Sequence, residues 1–146
     1  MKYLLISIFF STLIFTACKK EPSINDKILA IIKDSLNVEQ QYDKIFVLQE
    51  HGCIVCNKKI VEYLSENQEL NNELIIVSMQ NVDGYLADSN IKQFKNVVID
   101  RKSLFYKTNV LNHSAVILFK ESKIDTILNF SDARVYDQNI EYLSSR

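Results

Sequence analysis

The chain has no tryptophan, a single proline (Pro22) and two glycines, Gly52 and Gly84. Two distant glycines cannot build a G-x-G-x-x-G dinucleotide turn or a Walker phosphate loop, because both need closely spaced glycines where backbone approaches phosphate. The same scarcity excludes a G-x-S-x-G nucleophile elbow. Neither sign of charge is in excess: 17 Lys and Arg stand against 18 Asp and Glu, a formal net charge of −1 over 146 residues. The basic surplus expected of a nucleic-acid binder is therefore missing. The acidic residues are scattered, with no pairing that suggests glycosidase or metal-carboxylate chemistry. What remains is an ordinary globular composition, 47% hydrophobic and 24% charged, of a length that favours one domain.

The N-terminus reads as an address. Lys2 supplies a positive charge, Leu4 to Phe15 form an apolar run, and Thr16-Ala17 place small residues before Cys18 and the polar Lys19-Lys20-Glu21. Charged start, apolar middle and small-residue end are the parts of a signal peptide over residues 1–17. The run is too short for a comfortable transmembrane helix. Phe15-Thr16-Ala17-Cys18 resembles the bacterial lipoprotein box, with Phe15 where leucine is usual. That resemblance implies lipidation of the Cys18 thiol and a mature chain tethered to a membrane in the bacterial cell envelope, facing the periplasm or the cell surface. Disulfides are permitted in such compartments. With Cys18 lipidated, Cys53 and Cys56 remain to pair.

Residues 18–41 comprise the lipidated N-terminus, a linker around Pro22 and a helix. Ile24, Ile28, Leu29, Ile31, Ile32 and Leu36 recur at helical spacing, with Ser23 or Asn25 as cap. Residues 42–146 form the main domain. Lys44–Gln49 and Leu74–Met79 are short, nearly continuous apolar runs that read as buried strands. Between them, Ile60, Val61 and Leu64 mark a helix that starts at Cys53. Asp83–Phe94 reads as a second helix, Asn96–Asp100 as a third strand, and Leu104-Phe105-Tyr106 as one helical turn. Ala115–Phe119 and Ile124–Phe130 make a hairpin around Glu121-Ser122-Lys123, and Asp132–Ser144 is a closing helix. The order is βαβαβ followed by ββα, an α/β arrangement in which parallel and antiparallel connections share one mixed sheet.

Cys53-Ile54-Val55-Cys56 is a C-x-x-C motif where a strand gives way to a helix. Unpaired N–H groups and the helix dipole favour an anion at that place. A thiolate at Cys53 is thereby stabilised and becomes the attacking sulfur. Cys56, one turn on, can resolve a mixed disulfide. Lys58 and Lys59 add positive charge nearby, and Glu50 is a solvated loop residue or a proton acceptor for a cysteine.

A strand ending in Phe46-Val47-Leu48, a loop, C-x-x-C, a helix and the later order of elements resemble the thioredoxin superfamily. The match runs from about Tyr42 to Ser144. Asn96–Asp100, Phe105-Tyr106, Ala115–Phe119 and Lys123-Ile124 resemble its membrane-anchored extracytoplasmic branch and peroxiredoxin-like relatives. The resemblance implies a thioredoxin-like three-layer sandwich and a thiol–disulfide oxidoreductase that exchanges disulfides with client proteins. It requires no cofactor and implies no nucleic-acid partner. Two departures stand out. Gly52 precedes Cys53 where the family has tryptophan, and Ser114, preceded by His113, stands where it has a cis-proline. The resemblance places Gly52, His113 and Ser114 on the active-site wall. No Pro-x-x-x-Thr-x-x-Cys context for peroxide chemistry is present.

Asn112-His113-Ser114-Ala115 at the start of a strand also resembles the Sco copper chaperones, whose cysteines are separated by three residues where this chain has two. That likeness implies a Cu(I) site of Cys53, Cys56 and His113, since two thiolates and an imidazole suit a soft ion. His51 would extend the set to the N₂S₂ ligands acceptable to zinc; otherwise it is a solvated turn residue. A third alternative is a thioredoxin-fold interaction module whose cysteines have no catalytic task.

Overall fold

The computed structural model describes residues 21–51, 53–81 and 90–145. The signal segment, Cys18, Gly52 and most of the expected Asp83–Phe94 helix lie outside the described residues. Of that helix, only the 3₁₀ turn Asn90–Gln93 is seen.

Helix α1, Ile24–Ala30, begins with a capping box: Ser23 Oγ accepts from Asp26 N–H (3.2 Å), and Asp26 accepts from Ser23 N–H (3.0 Å). It continues as a π-helical turn through Ser35, and Asn37, at φ 54°, ends it in the left-handed region that asparagine tolerates. Five strands follow: β1 Lys44–Gln49, β2 Leu74–Ser78, β3 Val97–Ile99, β4 Ala115–Lys120 and β5 Lys123–Asn129. The intervening helices are α2, Ile54–Glu66, the single turn α3, Leu104–Lys107, and α4, Ala133–Ser144.

The strands form one mixed sheet in the order β3-β2-β1-β4-β5. β1, β2 and β3 run parallel, with Gln49 opposite Ser78 and Val77 opposite Ile99. β4 joins β1 antiparallel, Val47 opposite Ala115, and β5 completes a hairpin. Apolar residues occupy both sides of the central strands because both faces are covered. On one face Phe46, Leu48, Ile75, Val77, Val116 and Leu118 meet Ile60, Val61 and Leu64 of α2 and Tyr136 and Leu143 of α4. On the other, Ile45, Val47, Leu74, Ile76, Ala115 and Ile117 meet Ile28, Ile31 and Ile32 of the N-terminal helix and Phe105 of α3. The apolar stripe of α1 and the turn after it supplies part of the second core.

Two ties hold α2 and α4 together on the first face. Tyr136 Oη donates to the Lys59 carbonyl (2.9 Å), and the Lys59 ammonium sits 4.9 Å above the Tyr136 ring. Burial, reinforced by the charge of Glu62, pushes the Tyr136 phenol up to about 12. No helix among the described residues is long and apolar enough to cross a membrane.

Candidate functional site

Every fully or nearly buried polar residue among those described, namely Gln49, Asn57, Ser78, Asp100, Ser103 and Ser114, lies at the end of the sheet where β1, β2 and β3 finish and β4 begins. This is the end at which open α/β sheets carry their chemistry. The core elsewhere is apolar, so buried polar groups concentrated here mark the end where the fold spends its hydrogen-bonding capacity.

β1 delivers the chain to this end, and the loop after Gln49 leads into α2 at the C-x-x-C motif. Cys53 and Cys56 are joined in a disulfide, with 5.1 Å between their Cα atoms. Cys53 is the N-cap of α2, and its Sγ accepts from Cys56 N–H (3.1 Å). The two sulfurs differ in access: Cys53 is half-buried, Cys56 is 1% exposed and part of the core. Between them Ile54 and Val55 stand open to solvent, 66% and 59% exposed. Neither side chain finds a place in the core, because the stripe that α2 turns toward the sheet starts at Cys56 and Asn57 and continues through Ile60, Val61 and Leu64.

A closed polar network supports this turn from below. Asn57 Nδ2 donates to the Gln49 carbonyl (2.8 Å), and Asn57 Oδ1 accepts from Ser114 Oγ. Ser114 Oγ in turn accepts from Gln49 N–H (2.8 Å). The Gln49 amide donates to the carbonyls of Leu111 (2.8 Å) and His113 (3.0 Å), which fixes its orientation, since a flipped amide would set oxygen against two carbonyl oxygens. Two buried atoms beside the network have no partner among the described residues, Gln49 Oε1 and His113 Nδ1. Ser114 is 3% exposed and turns its hydroxyl inward. Its side chain thus ties β1 to α2. His113 lines an open cleft of about 380 Å³ with Ile24, Leu111, Ile127 and Asn129.

His51 is exposed and lays its ring against Tyr106 of α3, centroids 4.0 Å apart. Lys59 lies over the Tyr136 ring and 4.0 Å from Asp137, so its charge serves the α2–α4 contact. Glu50 accepts from Gln80 N–H (2.8 Å) and holds the loop after β1 to the loop after β2. Among the described residues no three His, Cys, Asp or Glu side chains form a group that could hold a metal ion. In the oxidised form the two sulfurs are bonded to each other and offer an ion no thiolate.

Asn57 and Gln49 are the residues that sequence reasoning passed over. The signal was present: positions 57, 60, 61 and 64 share one helical stripe, and Asn57 is its polar member. Gln49 likewise closes a strand in which it directly follows the apolar run Ile45-Phe46-Val47-Leu48. No protein-family model, curated protein or solved structure matches this chain.

Proposed function

We propose that the protein is a thioredoxin-like thiol–disulfide oxidoreductase, anchored to the bacterial envelope through a lipid on Cys18 and acting outside the cytoplasm. The observation that carries this reading is the asymmetric disulfide at the N-terminus of α2, with Cys53 reachable and Cys56 enclosed. The parallel β1–α2–β2 unit, the antiparallel β4–β5 hairpin and the closing α4 support the thioredoxin-like assignment.

In the reduced protein the Cys53 thiolate attacks a client disulfide. A bond forms between Cys53 and one client sulfur, while the other client sulfur leaves and takes up a proton. Cys56 then gives up its proton and attacks Cys53, which restores the Cys53–Cys56 disulfide and releases the second client thiol. Client disulfide and protein dithiol thus become client dithiol and protein disulfide, and the same steps run backwards under an oxidising poise. The Cys56 N–H that Cys53 accepts, together with the α2 dipole, stabilises the Cys53 thiolate as attacker and as leaving group. The enclosed Cys56 is met only by an internal partner, which suits the resolving role.

Exchange with a small-molecule disulfide tests the assignment. Cys53→Ser abolishes exchange, whereas Cys56→Ser accumulates a mixed disulfide on Cys53 that mass spectrometry detects. Equal residual activity in the two variants would overturn the division of roles. Metabolic labelling with a fatty acid that is lost in Cys18→Ser tests the anchor.

A further inference from the structure

We infer that Asn57, Gln49 and Ser114 form a clasp that sets the stability of the Cys53–Cys56 disulfide, and that Asn57 is its central positioning residue. The inference rests on the proposed redox cycle of that pair.

The clasp closes the one segment of chain that carries both sulfurs. Gln49 lies before Cys53 and Asn57 directly follows Cys56, and the Asn57 amide bridges back to the Gln49 carbonyl (2.8 Å). Asn57 N–H donates to the Cys53 carbonyl (3.2 Å), so backbone and side chain of one residue reach both the strand end and the attacking cysteine. Ser114 locks the bridge from β4 by donating to Asn57 Oδ1 and accepting from Gln49 N–H. All three residues are buried, so water cannot replace a lost partner without opening the site.

The S–S bond fixes the geometry of residues 53–56 in the oxidised protein, with or without the clasp. In the dithiol only the clasp and the helix turn hold the two sulfurs together. A preorganised dithiol has a high effective concentration of one thiol beside the other and closes readily; a loosened one gains conformational entropy on reduction and closes less readily. Removing the clasp therefore favours the dithiol. In the reaction of the protein disulfide with two glutathione thiols, which yields the protein dithiol and glutathione disulfide, the equilibrium moves toward the dithiol. A buried hydrogen bond or two predicts a change of about three- to tenfold, and tenfold corresponds to about 30 mV.

The test measures that equilibrium on the full-length chain in detergent, across glutathione ratios, with Cys53 and Cys56 read by thiol trapping and peptide mass. The variants are Asn57→Ala, which removes the two side-chain hydrogen bonds of Asn57 and keeps its backbone bond to Cys53, and Ser114→Ala, which removes the lock with a smaller packing change. Leu64→Ala, in the same helix but outside the clasp, is the control for destabilisation alone. The expected result is a shift toward the dithiol in Asn57→Ala and a smaller one in Ser114→Ala. Leu64→Ala lowers the melting temperature and leaves the redox equilibrium in place. If Asn57→Ala does not fold, Ser114→Ala against Leu64→Ala decides. An equilibrium unchanged in the clasp variants, or moved equally by Leu64→Ala, overturns the inference while the redox reading stands. A pair that does not cycle in the unsubstituted protein removes both.

Discussion

Cys53 and Cys56 share one chemistry and differ in surroundings, and the roles proposed for them rest on that difference: one sulfur at a helix cap with solvent access, the other enclosed by the core. The same dependence on surroundings governs two carboxylates elsewhere in the fold, with opposite sign. Asp132 caps α4 by accepting from the N–H groups of Val135 and Arg134, which hold its carboxyl below the ordinary 3.8. Its contribution to stability is complete above the unfolded value and is lost as pH falls through the lower, folded value. Glu73 is different: burial outweighs its bond from Lys44 N–H and raises it above the ordinary 4.5. The folded state then holds that proton more tightly than the unfolded one, so Glu73 lowers stability as pH rises through the window that begins near 4.5. Melting curves from acid to neutral pH separate the two. Asp132→Asn keeps a capping oxygen and flattens the acid limb. Glu73→Gln keeps an acceptor for Lys44, matches or exceeds the parent at neutral pH, and converges with it in acid. A parent that outlasts Glu73→Gln at pH 7 would contradict the burial argument.

At the scale of elements, hydrophobic periodicity was the legible part. The continuous apolar runs of β1, β2 and β4 and the stripes of α1, α2 and α4 were plain in the sequence, because a residue's place on a covered strand or helix face depends on near neighbours. The stripe of α2 marks Asn57 as facing the sheet, but its partners Gln49 and Ser114 are supplied by β1 and by the chain entering β4, and no local pattern records such a meeting. His113 and His51 show the same limit: nothing in a turn or a strand start announces a ring laid on Tyr106 or an imidazole nitrogen enclosed without a partner among the described residues. One element departs from local preference. The β4–β5 turn places Glu121 and Ser122 at φ 52° and 63°, where a two-residue hairpin loop favours asparagine and glycine. Replacing them together by Asn-Gly is expected to raise stability by about 1 kcal/mol, since it relieves the left-handed penalty at the cost of an exposed bond from Ser122 to Gln41. Denaturant unfolding measures this, and a lower midpoint for the Asn-Gly chain would contradict it.

On the scale of the whole molecule, the fold divides labour between the two faces of its sheet and one end of it. Two apolar cores, one on each face of the sheet, supply the stability, and the buried polar residues gather where the parallel strands finish. A disulfide that closes so short a loop restricts the unfolded chain only slightly. The proposed cycle requires that the two cores hold the fold when the Cys53–Cys56 bond opens. The most direct test is a redox titration of the full-length protein between dithiothreitol and oxidised glutathione, with free thiols trapped at each point and counted by mass. The account predicts a reversible two-electron transition in which Cys53 and Cys56 gain and lose the trap together, with the melting transition retained in the reduced form. A disulfide that persists in excess dithiothreitol, or a reduced pair that fails to close again, would contradict it.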